Sequence, residues 1–244
     1  MERQRIADYL SSLECDADEL LKEMRTYAET HGVPIVRLET ESFLRTMTAV
    51  KRPARILEIG TAIAYSTIVL AREQTRTRAG FLSLLPEEGD KLPRVVTIES
   101  WEKRIPIAGK NLRRAGLSDV VKLVHGDAGH VLKQLLEEYR DHQRGETGDR
   151  RSEYRFDLVF LDAAKGQYLN WLSDIVELMN EGGILLADNV LQNDTVMEPR
   201  VTVERRERTT HSRMREFLYE IKHSERLISS VLPLGDGVSV SVKR

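Results

Sequence analysis

Acidic and amide side chains follow two consecutive apolar segments of the chain. Asp162 comes directly after the fourth such segment, with Lys165 three residues later, and Asp188-Asn189 follow the fifth. If both segments are parallel strands, these side chains lie at one edge of a sheet and share a crevice. Two carboxylates and an amide oxygen suit Mg²⁺, Mn²⁺ or Ca²⁺ and are poor ligands for zinc. The alternative is structural: Asp162 caps a helix, Asp188-Asn189 form a turn and Lys165 is solvated.

Gly60 lies in the turn between the first predicted strand and the helix after it. A glycine there lets the main chain approach a ligand, and the helix N-terminus offers unpaired N–H groups to a carboxylate or phosphate. The dinucleotide fingerprint G-x-G-x-x-G is missing, because Ala62 and Ile63 or Tyr65 stand where glycines are required. The turn therefore either binds a ligand that has no pyrophosphate or is a structural turn that binds no ligand.

Two further strand ends carry candidate ligand-binding residues. Glu99 closes the second strand, where doubly wound folds place an acid that accepts hydrogen bonds from ribose hydroxyls. It lies further from Gly60 than the usual ~20 residues, and an insertion at 75–92 accounts for the excess. Asp127-Ala128 follow the third strand, where we expect them to line an adenine pocket. All these positions lie at the carboxyl ends of strands, where open α/β sheets bind ligands.

The elements that position these residues are predicted from hydrophobic patterning. Short apolar runs alternate with amphipathic stretches, which indicates βαβ crossovers and a mostly parallel sheet. The last two runs flank Pro233 to Gly237 and predict an antiparallel hairpin. The seven predicted strands are residues 55–59, 95–99, 120–124, 156–161, 184–187, 227–232 and 238–242.

Helices are predicted on both sides of this sheet region in the sequence. A short one around residues 6–13, one at 16–31 capped by Asp16 and one at 40–50 capped by Thr40 form an N-terminal helical part, and a long helix covers 201–223. Residues 75–92 and 141–155 are predicted as surface loops. We therefore expect a single domain, 1–244, with a helical cap at 1–50 and an α/β core at 54–244.

The charge is nearly balanced overall but uneven along the chain. With 37 Lys and Arg against 39 Asp and Glu in 244 residues, the net charge of -2 argues against a uniformly basic nucleic-acid binder. Between residues 200 and 215, however, the chain has six arginines and only two acidic residues. Such a segment binds phosphates, or it is a solvated helix face with Glu–Arg pairs. The RNA-binding candidates are Arg200, Arg205, Arg206 and Arg208.

Cysteine content and hydropathy indicate the compartment. The chain has one cysteine, Cys15, which excludes an intramolecular disulfide and suits a reducing environment. The N-terminus lacks the apolar region of a signal peptide, and no stretch reaches the roughly 18 apolar residues of a membrane span. We expect a cytoplasmic protein that does not associate with membranes.

The motifs in combination resemble the metal-dependent S-adenosylmethionine O-methyltransferases of the catechol and caffeoyl-CoA type. The resemblance runs from about residue 30 to the C-terminus and implies a seven-stranded Rossmann-like methyltransferase sheet. One departure is Ala64, where the family usually has glycine, and we expect its methyl group to crowd the methionine end of the cofactor. The matching segments are Glu58-Ile59-Gly60-Thr61, Tyr65-Ser66, Glu99, Gly126-Asp127-Ala128, Asp162-Ala163-Ala164-Lys165 and Asp188-Asn189-Val190.

The resemblance implies a role for each matching residue. Glu99 would hold the ribose of S-adenosylmethionine, with Asp127 and Ala128 at the adenine. Asp162, Asp188 and Asn189 would hold Mg²⁺, Mn²⁺ or Ca²⁺, which binds the substrate hydroxyl and lowers its pKa. Lys165 would accept the proton, so that Lys165 and Asp162 are the catalytic residues. The residues expected around the methionine part are Val36, Glu58, Gly60, Thr61, Ser66 and Asp162.

Within the family, three segments are similar to bacterial tRNA 5-hydroxyuridine methyltransferases, which form 5-methoxyuridine at the wobble position. They are His31-Gly32-Val33-Pro34-Ile35, the segment from Asp162 to Tyr168, and the segment from Pro233 to Ser241. This similarity implies a tRNA anticodon as partner and a homodimer. The alternatives are an enzyme for small catechol-like or CoA-linked phenols and a catalytically silent cofactor-binding protein.

Overall fold

A central seven-stranded sheet organises the computed structural model, in the order β3-β2-β1-β4-β5-β7-β6. The structure describes residues 5, 9, 12, 13, 18–79, 94–145, 154–192 and 194–244. Strands β1 to β5 are parallel, and β7 runs antiparallel between β5 and β6. The strands are β1 (Ile56–Ile59), β2 (Val95–Glu99), β3 (Val121–His125), β4 (Phe156–Leu161), β5 (Met179–Ala187), β6 (Leu227–Leu232) and β7 (Val238–Lys243).

Seven α-helices of the described chain cover the sheet. Leu57 and Ile59 of β1 face a core built with α5, α6 and α7, while Ile56 faces a second core built with α1 to α4. This alternation follows from the two-residue period of a strand, so both faces of the sheet are buried. The helices are α1 (Glu19–His31), α2 (Leu38–Lys51), α3 (Tyr65–Ala79), α4 (Ile105–Arg114), α5 (Ala128–Gly145), α6 (Tyr168–Leu178) and α7 (Arg208–His223).

The predicted Rossmann-like sheet, mostly parallel with a C-terminal antiparallel hairpin and N-terminal helices, is confirmed. The pairing register of its strands determines where the candidate site residues lie. Ile59 pairs with Ile98 on one side and with Leu161 on the other, and Leu161 pairs with Ala187. Strands β1, β2, β4 and β5 therefore end at one level, so that the residues after them meet at one edge of the sheet.

The starts of two helices differ from the predicted ones. Helix α1 begins at Glu19, and the Asp18 side chain accepts a hydrogen bond from the Leu21 main-chain N–H at 3.0 Å; the predicted cap Asp16 lies outside the described residues. Helix α2 begins at Leu38 after Arg37, so the prediction that Thr40 caps it was wrong. Thr40 is buried inside the first turn of α2.

The helix predicted at 201–223 begins only at Arg208. Residues 200–207 form turns, because the β-branched Val201, Thr202 and Val203 are poor helix formers. Half of the arginine-rich segment, 200–207, therefore lies outside the helix, and the other half, 208–215, lies within α7. Strand β3 lies one residue later than predicted, and β5 begins at Met179, five residues before the predicted start.

Both predicted loops are partly helical. Helix α3 continues to Ala79 and α5 to Gly145, because no glycine or proline interrupts 65–79 or 130–144. Residues 80–92 and 146–153 of these stretches, Cys15 and most of the helix expected near residues 6–13 lie outside the described residues. No helix in the described part of the chain is long and apolar enough to span a membrane.

Candidate functional site

A cavity of about 730 Å³ opens at the carboxyl edge of the sheet. It brings together ten of the residues predicted for the cofactor, metal and catalytic roles, drawn from the ends of five strands and from the segment before α2. They are Val36, Gly60, Ser66, Glu99, Asp127, Ala128, Asp162, Lys165, Asp188 and Asn189. The side chains of Glu58 and Thr61 lie outside its lining, as do the four RNA-binding candidates.

The turn after β1 packs against the end of β4. Gly60 has φ +108°, and a Cβ there would overlap the main-chain carbonyl of Asp162. Only glycine fits this close approach, since L side chains disfavour that φ and the contacted atoms belong to the main chain. The turn and the first metal-ligand candidate are thus fixed relative to each other by backbone contact.

Ala64 lies in the same turn with φ +68°, the left-handed conformation that glycine adopts without strain. This explains physically why glycine suits the position. The Ala64 side chain is fully buried among the apolar residues of the α1 to α4 core and does not line the cavity. The structure therefore does not support the expectation that the Ala64 methyl group crowds the cofactor, because this methyl group points into the core.

Glu99 is held at the cavity wall by two main-chain donors. Its Oε2 accepts the N–H of Ala62 at 2.7 Å, and its Oε1 accepts the N–H of Trp101 at 2.8 Å. Both carboxylate oxygens keep further lone pairs. Glu99 lines the cavity while being only 6% exposed, so it can accept hydrogen bonds from a pair of ribose hydroxyls.

Asp127 and Ala128 line the cavity at the start of α5. The Asp127 carboxylate accepts the main-chain N–H of His130 at 3.1 Å, and its side chain is mostly exposed. Asp127 thus stabilises the first turn of α5, whereas the buried Ala128 presents a small apolar surface to the cavity. That surface suits a flat heterocycle such as adenine.

Glu58 supports the turn from behind the cavity wall. Its buried carboxylate accepts hydrogen bonds from Ser66 Oγ and Thr97 Oγ1, each at 2.6 Å, and from Thr67 Oγ1. Burial raises the pKa of Glu58 to about 7 in spite of these donors. Thr61 Oγ1 lies 2.6 Å from Thr97 Oγ1 in the same network. Of this network, Ser66 reaches the cavity itself.

Asp162, Asp188 and Asn189 lie together at the ends of β4 and β5. Asp188 is nearly fully buried, and its carboxylate accepts the Asn189 main-chain N–H at 2.8 Å. Burial and the nearby Asp162 carboxylate raise the pKa of Asp188 to about 7. Burial also raises the pKa of Asp162, opposed by Lys165, whose Nζ lies 3.8 Å from Asp162 Oδ1.

This donor set fits a divalent cation. Asp188 is buried and Asp162 is partly buried, and the negative charge of Asp162 disfavours the ionised form of Asp188, so a cation that binds both carboxylates would offset this repulsion. No group of three His, Cys, Asp or Glu side chains with metal-binding geometry occurs within the described ranges, so the amide oxygen of Asn189 is needed as the third ligand. Carboxylate and amide oxygens are the ligands that Mg²⁺, Mn²⁺ and Ca²⁺ prefer.

Asp236 and Tyr168 are among the residues in or next to the site that carry no role in the sequence-based prediction. Asp236, in the turn between β6 and β7, accepts a hydrogen bond from Asn189 Nδ2 at 3.3 Å and lies 2.8 Å from Arg37 Nη2. The buried Tyr168 hydroxyl lies 3.2 Å from the main-chain oxygen of Leu161 and accepts the N–H of Ala163 at 3.3 Å. The one available signal for Asp236 was its position between two glycines in a predicted turn.

The arginine-rich segment lies beside the catalytic segment but outside the cavity. At the start of α7, Thr210 Oγ1 is 3.7 Å from the Cβ position of Gly166, the residue after Lys165. The arginines of the segment differ in their contacts: Arg200 donates to Ser212 Oγ, Arg206 pairs with Glu204 and Glu207, and Arg208 donates to the main-chain oxygens of Val203 and Val201. Arg205 is exposed and makes no hydrogen bond or ion pair with any described residue.

Comparison with known proteins gives a consistent result. A family model described as O-methyltransferase matches residues 11–244. The chain is 30% identical to a catechol O-methyltransferase of Niastella koreensis over 202 residues, 82% of this chain and 78% of that protein. It is 27% identical to caffeoyl-CoA O-methyltransferase 1 of Eucalyptus globulus over 228 residues, 91% of this chain and 80% of that protein.

Solved structures show the same architecture. An O-methyltransferase from Bacillus cereus in complex with SAH superposes with a TM-score of 0.74 at 26% identity, covering 98% of this chain and 97% of that one. The sheet order and the cavity at its carboxyl edge are those of a Rossmann-like α/β methyltransferase. Since the family model spans nearly the whole chain, the protein belongs to the O-methyltransferase family and is an S-adenosylmethionine-dependent O-methyltransferase.

Proposed function

We propose that Asp162, Asp188 and Asn189 hold a divalent cation, Mg²⁺ or alternatively Mn²⁺ or Ca²⁺, at which the methyl-accepting hydroxyl binds. The observation that carries this proposal is the all-oxygen set at the ends of β4 and β5, with Asp188 buried and Asp162 and Asn189 partly buried, in the same cavity as Gly60 and Glu99. When bound, such a cation lowers the pKa of a hydroxyl that it ligates and fixes the position of the oxygen.

The residues of the chain then orient the methyl donor and move one proton. Glu99 holds the ribose hydroxyls, Ala128 contacts the adenine, and the Gly60 turn admits the methionine part to the cavity. Lys165 Nζ, 3.8 Å from Asp162 Oδ1, faces the same cavity and accepts the proton of the acceptor hydroxyl. Methyl transfer otherwise depends on holding oxygen, carbon and sulfur in line, which contributes up to ~7–11 kcal/mol in favourable cases.

The acceptor that we propose is 5-hydroxyuridine at the tRNA wobble position, which the transfer converts to 5-methoxyuridine. Its ring carries a hydroxyl next to a carbonyl oxygen, an oxygen pair similar to that of a catechol, so one metal site serves either ring. The exposed arginines of 200–208 support the RNA, because they lie outside the cavity in the segment that leads into α7, where they can contact phosphates of a bound anticodon loop. Helix α7 itself lies beside the Lys165 segment, with Thr210 Oγ1 3.7 Å from the Cβ position of Gly166.

A small catechol-like or CoA-linked phenol is the second candidate acceptor. The names of two relatives, a catechol and a caffeoyl-CoA O-methyltransferase, favour it. A small phenol needs only the cavity, whereas an anticodon loop also needs the basic surface around it. The two acceptors therefore differ in their dependence on Arg205, an exposed residue outside the cavity. A homodimer, as the tRNA enzymes imply, would enlarge the surface available to RNA.

The test is methylation with labelled S-adenosylmethionine and Mg²⁺ of three acceptors: tRNA containing 5-hydroxyuridine, the same tRNA with unmodified uridine, and catechol. We expect the 5-hydroxyuridine tRNA to be methylated with a higher kcat/KM than catechol, and the unmodified tRNA to stay unlabelled. Arg205→Glu should lower kcat/KM for the tRNA by about tenfold or more. Arg226→Glu is the control for charge reversal away from the cavity, because Arg226 lies at the opposite end of the sheet, next to Leu227, which pairs with Lys243. Since Arg226 pairs with Glu177, the melting temperature of both variants is measured as well. Methylation of catechol alone would overturn the tRNA assignment and favour the second candidate.

A further inference from the structure

The turn between β6 and β7 is fixed to the metal-ligand end of β5. The main-chain N–H groups of Val190 and Leu191 donate to the carbonyl oxygens of Gly237 and Asp236, each at 2.9 Å. A Cβ on Gly237, which has φ +91°, would overlap the Leu191 side chain. The two loops therefore lie in close main-chain contact, and Asp236 is held next to Asn189.

The contact between Asp236 and Asn189 determines which way the Asn189 amide faces. Asn189 Nδ2 donates to Asp236 Oδ2 at 3.3 Å. An ionised carboxylate only accepts hydrogen bonds, so the amide end that faces it must be the NH₂ group. The amide oxygen is then left over, and it accepts no hydrogen bond from the described part of the chain. A free oxygen is what a metal ligand requires.

Arg37 contacts the carboxylate oxygen of Asp236 that does not face Asn189. Its Nη2 lies 2.8 Å from Asp236 Oδ1, so each carboxylate oxygen of Asp236 has its own partner. Arg37 directly precedes α2 and follows Val36, another residue of the cavity wall. The positive charge of Arg37 offsets part of the negative charge that Asp236 brings to the site.

We propose that Asp236 is a positioning residue that holds the Asn189 amide with its oxygen toward the cation site. This inference rests on the proposed metal-dependent function. Hydrogen-bonding partners behind metal ligands typically change metal affinity 10- to 100-fold when they are removed. Asp236 therefore sets divalent-cation affinity through Asn189, without itself binding the cation.

Charge-matched variants separate orientation from electrostatics. Both double variants lose one positive and one negative charge. In Arg37→Gln/Asp236→Asn, the amide oxygen of the new side chain still accepts the hydrogen bond from Asn189. In Arg37→Gln/Asp236→Ala, no acceptor for that hydrogen bond remains. Mn²⁺ affinity is measured by electron paramagnetic resonance without acceptor. S-adenosylmethionine affinity in chelator and the melting temperature are measured alongside, because a general loss of structure would change both.

The Asn-containing variant is expected to bind Mn²⁺ within about threefold of the unchanged protein, and the Ala-containing variant 10- to 100-fold more weakly. S-adenosylmethionine affinity in chelator should stay within about threefold in both. Equal losses of Mn²⁺ affinity in the two variants would show that Asp236 acts by its charge or as a ligand. Wild-type Mn²⁺ affinity in the Ala-containing variant would show that Asp236 has no role in cation binding. Either result overturns the proposal. If the unchanged protein binds no Mn²⁺, the metal-dependent function itself fails.

Discussion

The main-chain carbonyl of Asp162 occupies the space that a side chain on Gly60 would need. The turn that we propose admits the cofactor and the strand end that carries the first metal-ligand candidate are therefore one packed unit. Any change that separates them should affect both halves of the site together.

Gly60→Ala tests this unit. We expect it to lower the free energy of unfolding by more than about 3 kcal/mol and to abolish S-adenosylmethionine binding, because the new Cβ meets backbone that cannot rotate away. Calorimetry and chemical denaturation measure the two effects. Gly32→Ala is the matched control: its φ is +62° but nothing lies within 4 Å of the Cβ position, so it should cost only about 1–2 kcal/mol and leave binding intact. Wild-type cofactor affinity in Gly60→Ala would contradict the packing.

Ala64→Gly tests the opposite situation, a left-handed residue that carries a methyl group. Relief of strain worth about 1–2 kcal/mol is offset by the loss of a buried methyl group, about 0.8 kcal/mol, and by glycine's greater chain entropy. Stability should change by no more than about 1 kcal/mol, and S-adenosylmethionine affinity by no more than about twofold. A tenfold gain in affinity would show that the methyl group does crowd the cofactor.

The raised pKa of Glu58 predicts a pH dependence of stability. In the folded protein this carboxyl keeps its proton up to about pH 7, whereas the unfolded chain releases it near 4.5. The folded state binds more protons in this range, so the contribution is complete below pH 4.5 and is lost as the pH rises through about 7. Each pH unit can cost up to about 1.4 kcal/mol for one group.

Glu58→Gln should remove that contribution, since an amide does not titrate. Urea unfolding at several pH values between 5 and 7 should show a shallower loss of stability in Glu58→Gln, by up to one bound proton. The exposed Glu102→Gln should keep the wild-type slope. Equal slopes in all three proteins would show that Glu58 does not titrate in this range.

Tyr168→Phe should loosen the ends of β4 and β5. The Tyr168 hydroxyl lies 3.2 Å and 3.3 Å from the carbonyl oxygens of Leu161 and Asp188 and accepts the Ala163 N–H. Phenylalanine fills the same volume but leaves buried polar groups unpaired, at a cost of about 1–3 kcal/mol. We expect that loss in denaturant unfolding, together with weaker Mn²⁺ binding. Unchanged stability would mean that water replaces the hydroxyl.

The strand ends could be predicted because an apolar run fixes where a buried parallel strand stops, which is why Asp162, Asp188 and Glu99 were found together. The partner of Asn189 could not be predicted in the same way. Asp236 lies 47 residues away, and the antiparallel placement of β7 beside β5 brings it in. The predicted start of α2 was wrong because Arg37, which is not a typical N-cap residue, precedes this helix. The predicted start of α7 was wrong because β-branched residues precede Arg208, where the helix begins.

The central claim is that the acceptor is activated at a divalent cation held by Asp162, Asp188 and Asn189, and Asp188→Ala tests it most directly. Methyl transfer to 5-hydroxyuridine tRNA is measured for both proteins with Mg²⁺ and with chelator, and S-adenosylmethionine affinity is measured in parallel. The account predicts that transfer is lost in Asp188→Ala and in chelator, while cofactor affinity stays within about threefold, because Asp188 belongs to the proposed metal ligands and not to the proposed cofactor contacts. Full turnover by Asp188→Ala in chelator would contradict it.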